Sequence, residues 1–378
     1  MANKHEGAPV ASVDRMEERP LRVLTIDGGG MRGIYTAAFL DGLARLFQRK
    51  RGCGRLDIGS AFDLIVGTST GAIIGCAAAI DKPMTEVVAL YRENGPKIFS
   101  QKLKEGIGIL GQIPFRPAHL HAGAEALHDA LLAVLGTQTF GDVYRKRGIA
   151  LAIPTVEMGH QRAWVFKTSH LGGHRDEETS LVDACMATSA APIYRSLAAI
   201  DADDGLDGHR VFADGGLWAN NPVLVGLLDA LQMHPSRSIE VFSAGTCPRP
   251  EGETIKKSDL DRGLIEWKFG GAAAQLSIAA QEFAFDNMAR LFAKQLTDLG
   301  RHAVTVRFPK GELRPSLLPH LDIDCTSDAA MDALVAQARD DVLIAKSASD
   351  DPSDDDGRRI RALFESMSES EGQEGEDV

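Results

Sequence analysis

The chain has 378 residues, 44% hydrophobic and 25% charged, a composition ordinary for a globular protein with ample surface to bury a core. Its formal charge of −12 is unevenly spread, because eleven acidic and three basic side chains between Asp350 and Val378 leave only about −4 on the body. So weakly acidic a body excludes the electrostatic footprint of a nucleic-acid binder, and five scattered cysteines with no C-x-x-C pair exclude a disulfide scaffold and point to free thiols in a reducing compartment.

Residues 1–20 are polar, lack the apolar h-region of a signal peptide and are expected to form a disordered leader. The apolar run 21–26 reads as a strand and enters Asp27-Gly28-Gly29-Gly30-Met31-Arg32-Gly33. Tyr35, Ala38, Phe39, Leu43, Leu46 and Phe47 then recur at helical spacing. A strand, a glycine loop and a helix N-terminus make an anion cradle, since unpaired N–H groups converge there. The anion is either a nucleotide phosphate or the oxyanion of an acyl-transfer intermediate. Without G-x-x-x-x-G-K-[ST], and with Arg32 intruding on G-x-G-x-x-G, the spacing argues against the nucleotide.

Residues 64–66 form a second apolar strand, which meets Gly67-Thr68-Ser69-Thr70-Gly71 and then an Ala- and Ile-rich helix. This is the strand–turn–helix setting in which G-x-S-x-G becomes a nucleophile elbow. Gly67 and Gly71 let the backbone reverse tightly around Ser69, whose hydroxyl is pushed out beside the positive end of the helix. The uncharged run 64–80 sits at the short limit for a bilayer and is interrupted by glycines and hydroxyls, so it is not read as a membrane span.

A short helix over 84–91 precedes the breaker-rich stretch 95–123, expected to be a mobile cap or surface loop, with Ile107 to Phe115 a candidate for insertion into lipid. A helix over 125–135, a solvated basic loop at Arg145-Lys146-Arg147, and strands over 148–155 and 163–168 follow. The helix 181–191 stops at Pro192, and the strand 210–213 ends in Asp214-Gly215-Gly216. Asn220-Asn221-Pro222 caps a helix over 223–232. Strands are expected at 238–244 and 304–308, and helices at 264–299 (broken at Gly270-Gly271) and 331–345. Strands alternating with helices imply a mainly parallel α/β sheet covered on both faces, whose chemistry gathers at the carboxyl ends of strands. The Gly28 loop, Ser69 and Asp214 each stand at such an end.

A serine hydroxyl needs a base, and an acyl-transfer intermediate needs donors for its O⁻. Asp214 can supply the base, with Gly215 and Gly216 keeping its carboxylate approachable. The N–H groups around Gly28, Gly29, Gly30 and Met31 can supply the donors. The general hydrolase template asks instead for a histidine after the acid, and His234, His302 and His320 are available. No ligand spacing for a metal is evident.

On these motifs the sequence resembles the patatin-like phospholipases: their D-G-G-G-x-R-G stands at residues 27–33, their G-x-S-x-G at 67–71 and their D-G-G at 214–216. Ala187-Thr188-Ser189-Ala190-Ala191-Pro192 also looks like the helix end before that family's aspartate strand. The resemblance spans roughly residues 21–245. It implies a three-layer α/β/α fold and a Ser69–Asp214 dyad that hydrolyses lipid acyl esters without histidine or cofactor. The oxyanion hole would come from Gly28, Gly29, Gly30 and Met31, with Arg32 helping to order it.

Within the family the chain looks most like the CapV-type effectors of cyclic-oligonucleotide antiphage signalling (CBASS), through residues 21–35, 164–168 and 331–342. That resemblance implies activation by a cyclic dinucleotide such as cyclic GMP-AMP, attack on membrane phospholipid from the cytoplasmic side, and a possible homo-oligomer on activation. Trp164, Phe166 and Arg162 can stack on or pair with such a ligand, or simply form an ordinary strand with alternating faces. The chain is thus expected to divide into a leader at 1–20, a hydrolase domain at 21–346 whose C-terminal part (257–346) is helical, and a disordered acidic tail at 347–378. An acyltransferase, or a fold that senses ligand without turnover, remains the rival reading.

Overall fold

The computed structural model describes residues 19–99, 116–206, 208–248, 254–263, 267 and 270–371. Strands β1 (Leu21–Ile26), β2 (Leu64–Gly67), β3 (Ala150–Glu157), β4 (Arg162–Lys167), β5 (Ala198–Leu206), β6 (His209–Asp214), β7 (Ile239–Ala244) and β8 (Ala303–Phe308) form one sheet. The order is β5-β6-β3-β2-β1-β7-β8, with β4 also paired to β3. From β3 through β8 neighbours run parallel, whereas β4 and β6 meet β3 antiparallel and β5 meets β6 antiparallel. All residues of β1, β2 and β7 are buried, as expected for strands covered on both faces.

The helices are α1 (Gly33–Arg51), α2 (Thr70–Ala79), α3 (Met84–Ile98), α4 (Arg116–Leu135), α5 (Phe140–Arg147), α6 (Leu181–Thr188), α7 (Gly216–Ala219), α8 (Val223–Met233), α9 (Gly271–Asp298), α10 (Asp328–Asp350) and α11 (Asp355–Glu365). Leu24, Ile26, Ile65 and Phe242 pack one face of the sheet against α1, α2, α3, α6, α10 and α11. Leu21, Val23, Leu64, Val66 and Val241 pack the other against α8 and α9. The result is the expected three-layer α/β/α arrangement.

Register carries the motifs to one place. Ile26 pairs with Gly67, so the glycine loop and the Ser69 turn leave neighbouring strands at the same level. Val66 pairs with Ala152; three residues further along β3, Thr155 pairs with Asp214. Asp214 therefore arrives level with Ser69, on a strand running the opposite way.

Several expectations change. The acidic tail does not begin at residue 347: α10 runs to Asp350, and Asp354 caps α11 by accepting the Gly357 N–H at 2.8 Å. Average composition hides the spacing of Ile360, Leu363, Phe364 and Met367, an i, i+3, i+4, i+7 stripe that is 1–4% exposed. Phe364 stacks on Phe47 at 5.2 Å, and acidic Asp355 and Asp356 suit the first turn of the helix. The loop expected at 95–123 is helical at both ends, α3 continuing through Pro96 and α4 starting at Arg116. The Ile107 to Phe115 candidate lies outside the described residues, as do residues 1–18 of the leader and 372–378 of the tail.

Arg145-Lys146-Arg147 is the last turn of α5, not a loop; Thr139 and Asp142 close a capping box at its start, and the cations suit its C-terminus. Strand β5 carries no apolar alternation, because its aspartates mask an edge strand.

Candidate active site

Ser69 ends the β2 turn at φ 54° and ψ −123°, a conformation rare for any residue but glycine and worth about 1–3 kcal/mol of strain. Its surroundings hold it there. The Ser69 N–H donates to the Thr188 hydroxyl oxygen at 3.0 Å, and that hydroxyl donates to the Pro154 carbonyl at 2.5 Å. Thr68 fastens the preceding residue, its hydroxyl donating to the Ala219 carbonyl at 2.6 Å. A Cβ at position 67 would collide with the Gly71 carbonyl, and one at 71 with the Ile26 carbonyl, so both motif glycines serve close approach.

The Ser69 hydroxyl donates to Asp214 Oδ2 at 2.9 Å, and Asp214 Oδ1 accepts the Gly216 N–H at 2.6 Å. Both side chains are buried, each residue being 7% exposed. Burial pushes the Asp214 carboxyl up to about 6, against the opposing pull of the Gly216 and Ser69 hydrogen bonds and of the nearby Arg195 cation. A Cβ at Gly215 would strike the Pro154 carbonyl, so this glycine lets the turn lie against β3.

The glycine loop lies against the same serine, since a Cβ on Gly28 would come within 3.3 Å of Ser69 Cβ. Three of its N–H groups are already engaged: Gly28 with the Asn220 carbonyl at 3.0 Å, Met31 with Ile323 at 2.9 Å, and Arg32 with Gly29 at 3.2 Å. Buried backbone groups pair wherever a partner is in reach, and these have partners. Among the described residues, the N–H groups of Gly29 and Gly30 make no hydrogen bond. The same holds for Thr70, the first residue of α2, whose N–H has no partner within the helix and carries no motif signal of its own. Arg32 does brace the loop, its Nε donating to the Gly29 carbonyl at 3.3 Å. Thr246 and Asn220 donate to the Gly28 carbonyl, each at 3.2 Å, and Arg307 pairs with Asp27. Pro222 stands at the N-cap of α8, and the Asn221 side chain before it accepts the Val223 N–H at 3.1 Å.

The patatin-like phospholipase family model matches residues 24–227, more than half of the chain and all three motifs. The chain belongs to this family.

Among curated patatin relatives, the cGAMP-activated phospholipase of Pseudomonas aeruginosa (strain BWHPSA011 / Pa011) is 34% identical over 273 residues, covering 71% of this chain and 74% of that protein. A cGAMP-activated phospholipase of Vibrio cholerae is 34% identical over 212 residues, 55% of this chain and 57% of its own. The cUMP-AMP-activated phospholipase of Escherichia coli is 28% identical over 310 residues, 79% of this chain and 85% of its own.

The remaining candidates of this patatin-family chain fall elsewhere. Among the described residues no histidine hydrogen-bonds Ser69 or Asp214; His234 ends α8, and His302 lies 3.5 Å from Arg359. Trp164 and Phe166 are buried in a ring cluster with Phe212, so they belong to the core rather than to a stacking platform, and the Arg162 guanidinium lies over the Trp164 ring. A cavity of about 1030 Å³ opens beside the glycine loop, and its Arg290, Arg307 and Lys310 are each paired with a carboxylate. No cluster of three or more His, Cys, Asp or Glu side chains fit to hold a metal occurs among the described residues, and no described helix is long and apolar enough to cross a membrane.

Proposed function

We propose that the chain hydrolyses acyl esters of membrane phospholipids through a Ser69–Asp214 dyad, switched on by a cyclic dinucleotide as a bacterial antiphage effector. The observation that carries the hydrolase reading is the 2.9 Å Ser69–Asp214 bond on a strained elbow, facing a glycine loop with open N–H groups. In this mechanism Asp214 takes the hydroxyl proton as Ser69 Oγ attacks the ester carbonyl. The N–H groups of Gly29, Gly30 and Thr70 receive the oxyanion. Collapse releases the lysolipid alcohol, protonated by Asp214, and water then cleaves the acyl-serine by the same route in reverse.

Contact with the lipid at the inner face of the cell membrane is ascribed to α9. Leu276, Phe283, Met288, Leu291 and Phe292 stand 45–64% exposed on it, and its Gln281 accepts the Asn220 N–H at 2.9 Å beside the site. Control by nucleotide is inferred from the names of the relatives. The cavity beside the glycine loop offers room for such a ligand, and all its lining residues lie beyond residue 227, where the family match ends.

Fatty-acid release from phospholipid vesicles, measured with and without a panel of cyclic dinucleotides, tests the reading. Release that depends on one nucleotide is the expected result. Constitutive release would remove the switch and leave the hydrolase; transfer of the acyl group to an added alcohol would make the chain an acyltransferase.

A base with a pKa near 6 fixes the pH dependence. kcat/KM should be flat above pH 7 and fall about tenfold per unit below about 6, as Asp214 becomes protonated. Because its folded pKa is raised, ionised Asp214 costs stability at neutral pH, by about 3 kcal/mol, and this cost fades as pH falls through 6 towards 4. Asp214→Asn should therefore lower kcat/KM about 10⁴-fold yet unfold later than wild type at pH 8, with the gap closing by pH 4. A wild type that matches or exceeds the variant in stability at pH 8 would refute the buried-charge account.

A further inference from the structure

Arg195 lies between α6 and β5, in a segment fastened to the site. Ala190 accepts the Asp214 N–H at 3.0 Å, Thr188 accepts the Gly215 N–H at 3.1 Å, and Ala191 accepts the Arg195 N–H at 2.8 Å. Two residues earlier, Ile193 is held at φ 74°, a left-handed conformation that a β-branched side chain adopts only under constraint. Arg195 itself is only 7% exposed. Its Nε has no hydrogen-bond partner, and no carboxylate is paired with its guanidinium among the described residues. The Phe99 ring lies 6.0 Å away, at the limit of a cation–π contact.

Buried arginines are ordinarily paired, because an unmatched charge in a low-dielectric setting is costly. Burial lowers the Arg195 pKa to about 10, and the Asp214 carboxylate works against that fall, so the group stays cationic at neutral pH. Asp214 is engaged with Ser69 and Gly216, and the buried Arg195 Nε, within electrostatic reach of that carboxylate, is left with a donor to offer. In a glycerophospholipid the phosphodiester lies only a few bonds from the ester carbonyls.

We propose that Arg195 binds the phosphodiester of the phospholipid while the scissile ester sits over Ser69. This rests on the phospholipase reading, and it makes Arg195 a determinant of substrate class, selecting phospholipids over phosphate-free acyl esters. The alternative is a cation that only tunes Asp214.

The test compares wild type, Arg195→Gln and Arg195→Lys on phosphatidylglycerol in mixed micelles and on p-nitrophenyl butyrate, each with the cyclic dinucleotide panel and with thermal unfolding followed in parallel. The quantity read is the ratio of kcat/KM for the two substrates. For Arg195→Gln that ratio should fall about 100-fold, chiefly through KM for the phospholipid, with Lys recovering part of it as a charge without the fork. A parallel loss on both substrates, leaving the ratio unchanged in a folded variant, overturns the proposal and leaves the tuning role. A wild type that cleaves neither substrate and takes no fluorophosphonate label overturns the hydrolase reading, and this subsite falls with it.

Discussion

Ser69→Ala should lower hydrolysis of both phospholipid and small esters by about 10⁶-fold, the scale seen when a serine nucleophile is deleted from an otherwise intact site. The loss comes from chemistry rather than unfolding. Alanine meets the same backbone demand at φ 54° as serine does, and the Thr188 hydroxyl still receives the residue's N–H. What goes is the hydrogen bond to Asp214, worth about 1.5–3 kcal/mol for a charged acceptor, so a modest drop in melting temperature is expected at pH 8. The Asp214 carboxyl should also rise further, having lost one of the bonds that favour its ionised form. Fluorophosphonate labelling, present in wild type and absent from the variant, locates the nucleophile independently of turnover. Undiminished labelling in Ser69→Ala would place the reactive group elsewhere.

The second large effect concerns the C-terminal helix. Phe364 is 1% exposed and stacked on Phe47 of α1, and Leu363 and Met367 are buried beside it at 1% each. Phe364→Ala should cost about 3–5 kcal/mol, through lost transfer energy and the cavity left behind. That is a large share of the 5–15 kcal/mol that holds a typical fold together. The helix also carries Arg359, whose guanidinium reaches Glu240 of β7 at 2.7 Å, where Arg22 of β1 meets the same carboxylate at 3.1 Å. Removing residues 347–378 would take away the apolar stripe and leave Glu240 with one partner fewer. A chain so truncated should express poorly or aggregate. Denaturant unfolding of Phe364→Ala measures the effect, and a midpoint unchanged from wild type would mean that α11 is an appendage after all.

The parts of this fold that local chemistry dictates could be seen in the sequence. A mostly apolar run before glycines, broken in β1 only by Arg22 and Thr25, marks β1 and β2, and the glycine pattern places Ser69 on a turn that other residues could not make. Asp214 was recognisable because a strand delivers it into two glycines. The failures share a different cause. Whether a backbone N–H is open depends on what the rest of the chain brings to it, and Ile323 and Asn220, distant in sequence, occupy the groups on Met31 and Gly28. Arg195 carries no motif; only its burial without a partner marks it. The run from residue 347 misleads for the opposite reason, since its acids dominate the composition while four apolar side chains decide its structure.

The apolar face of α9 bears on how the molecule behaves away from any lipid. Five large side chains held in water attract apolar surface on another copy, and the acidic charge of each copy, most of it between Asp350 and Val378, opposes their approach. Salt screens that repulsion and leaves the apolar attraction intact. Self-association should therefore rise with ionic strength, against the usual behaviour of proteins that associate through charge, and sedimentation at low and high salt measures it.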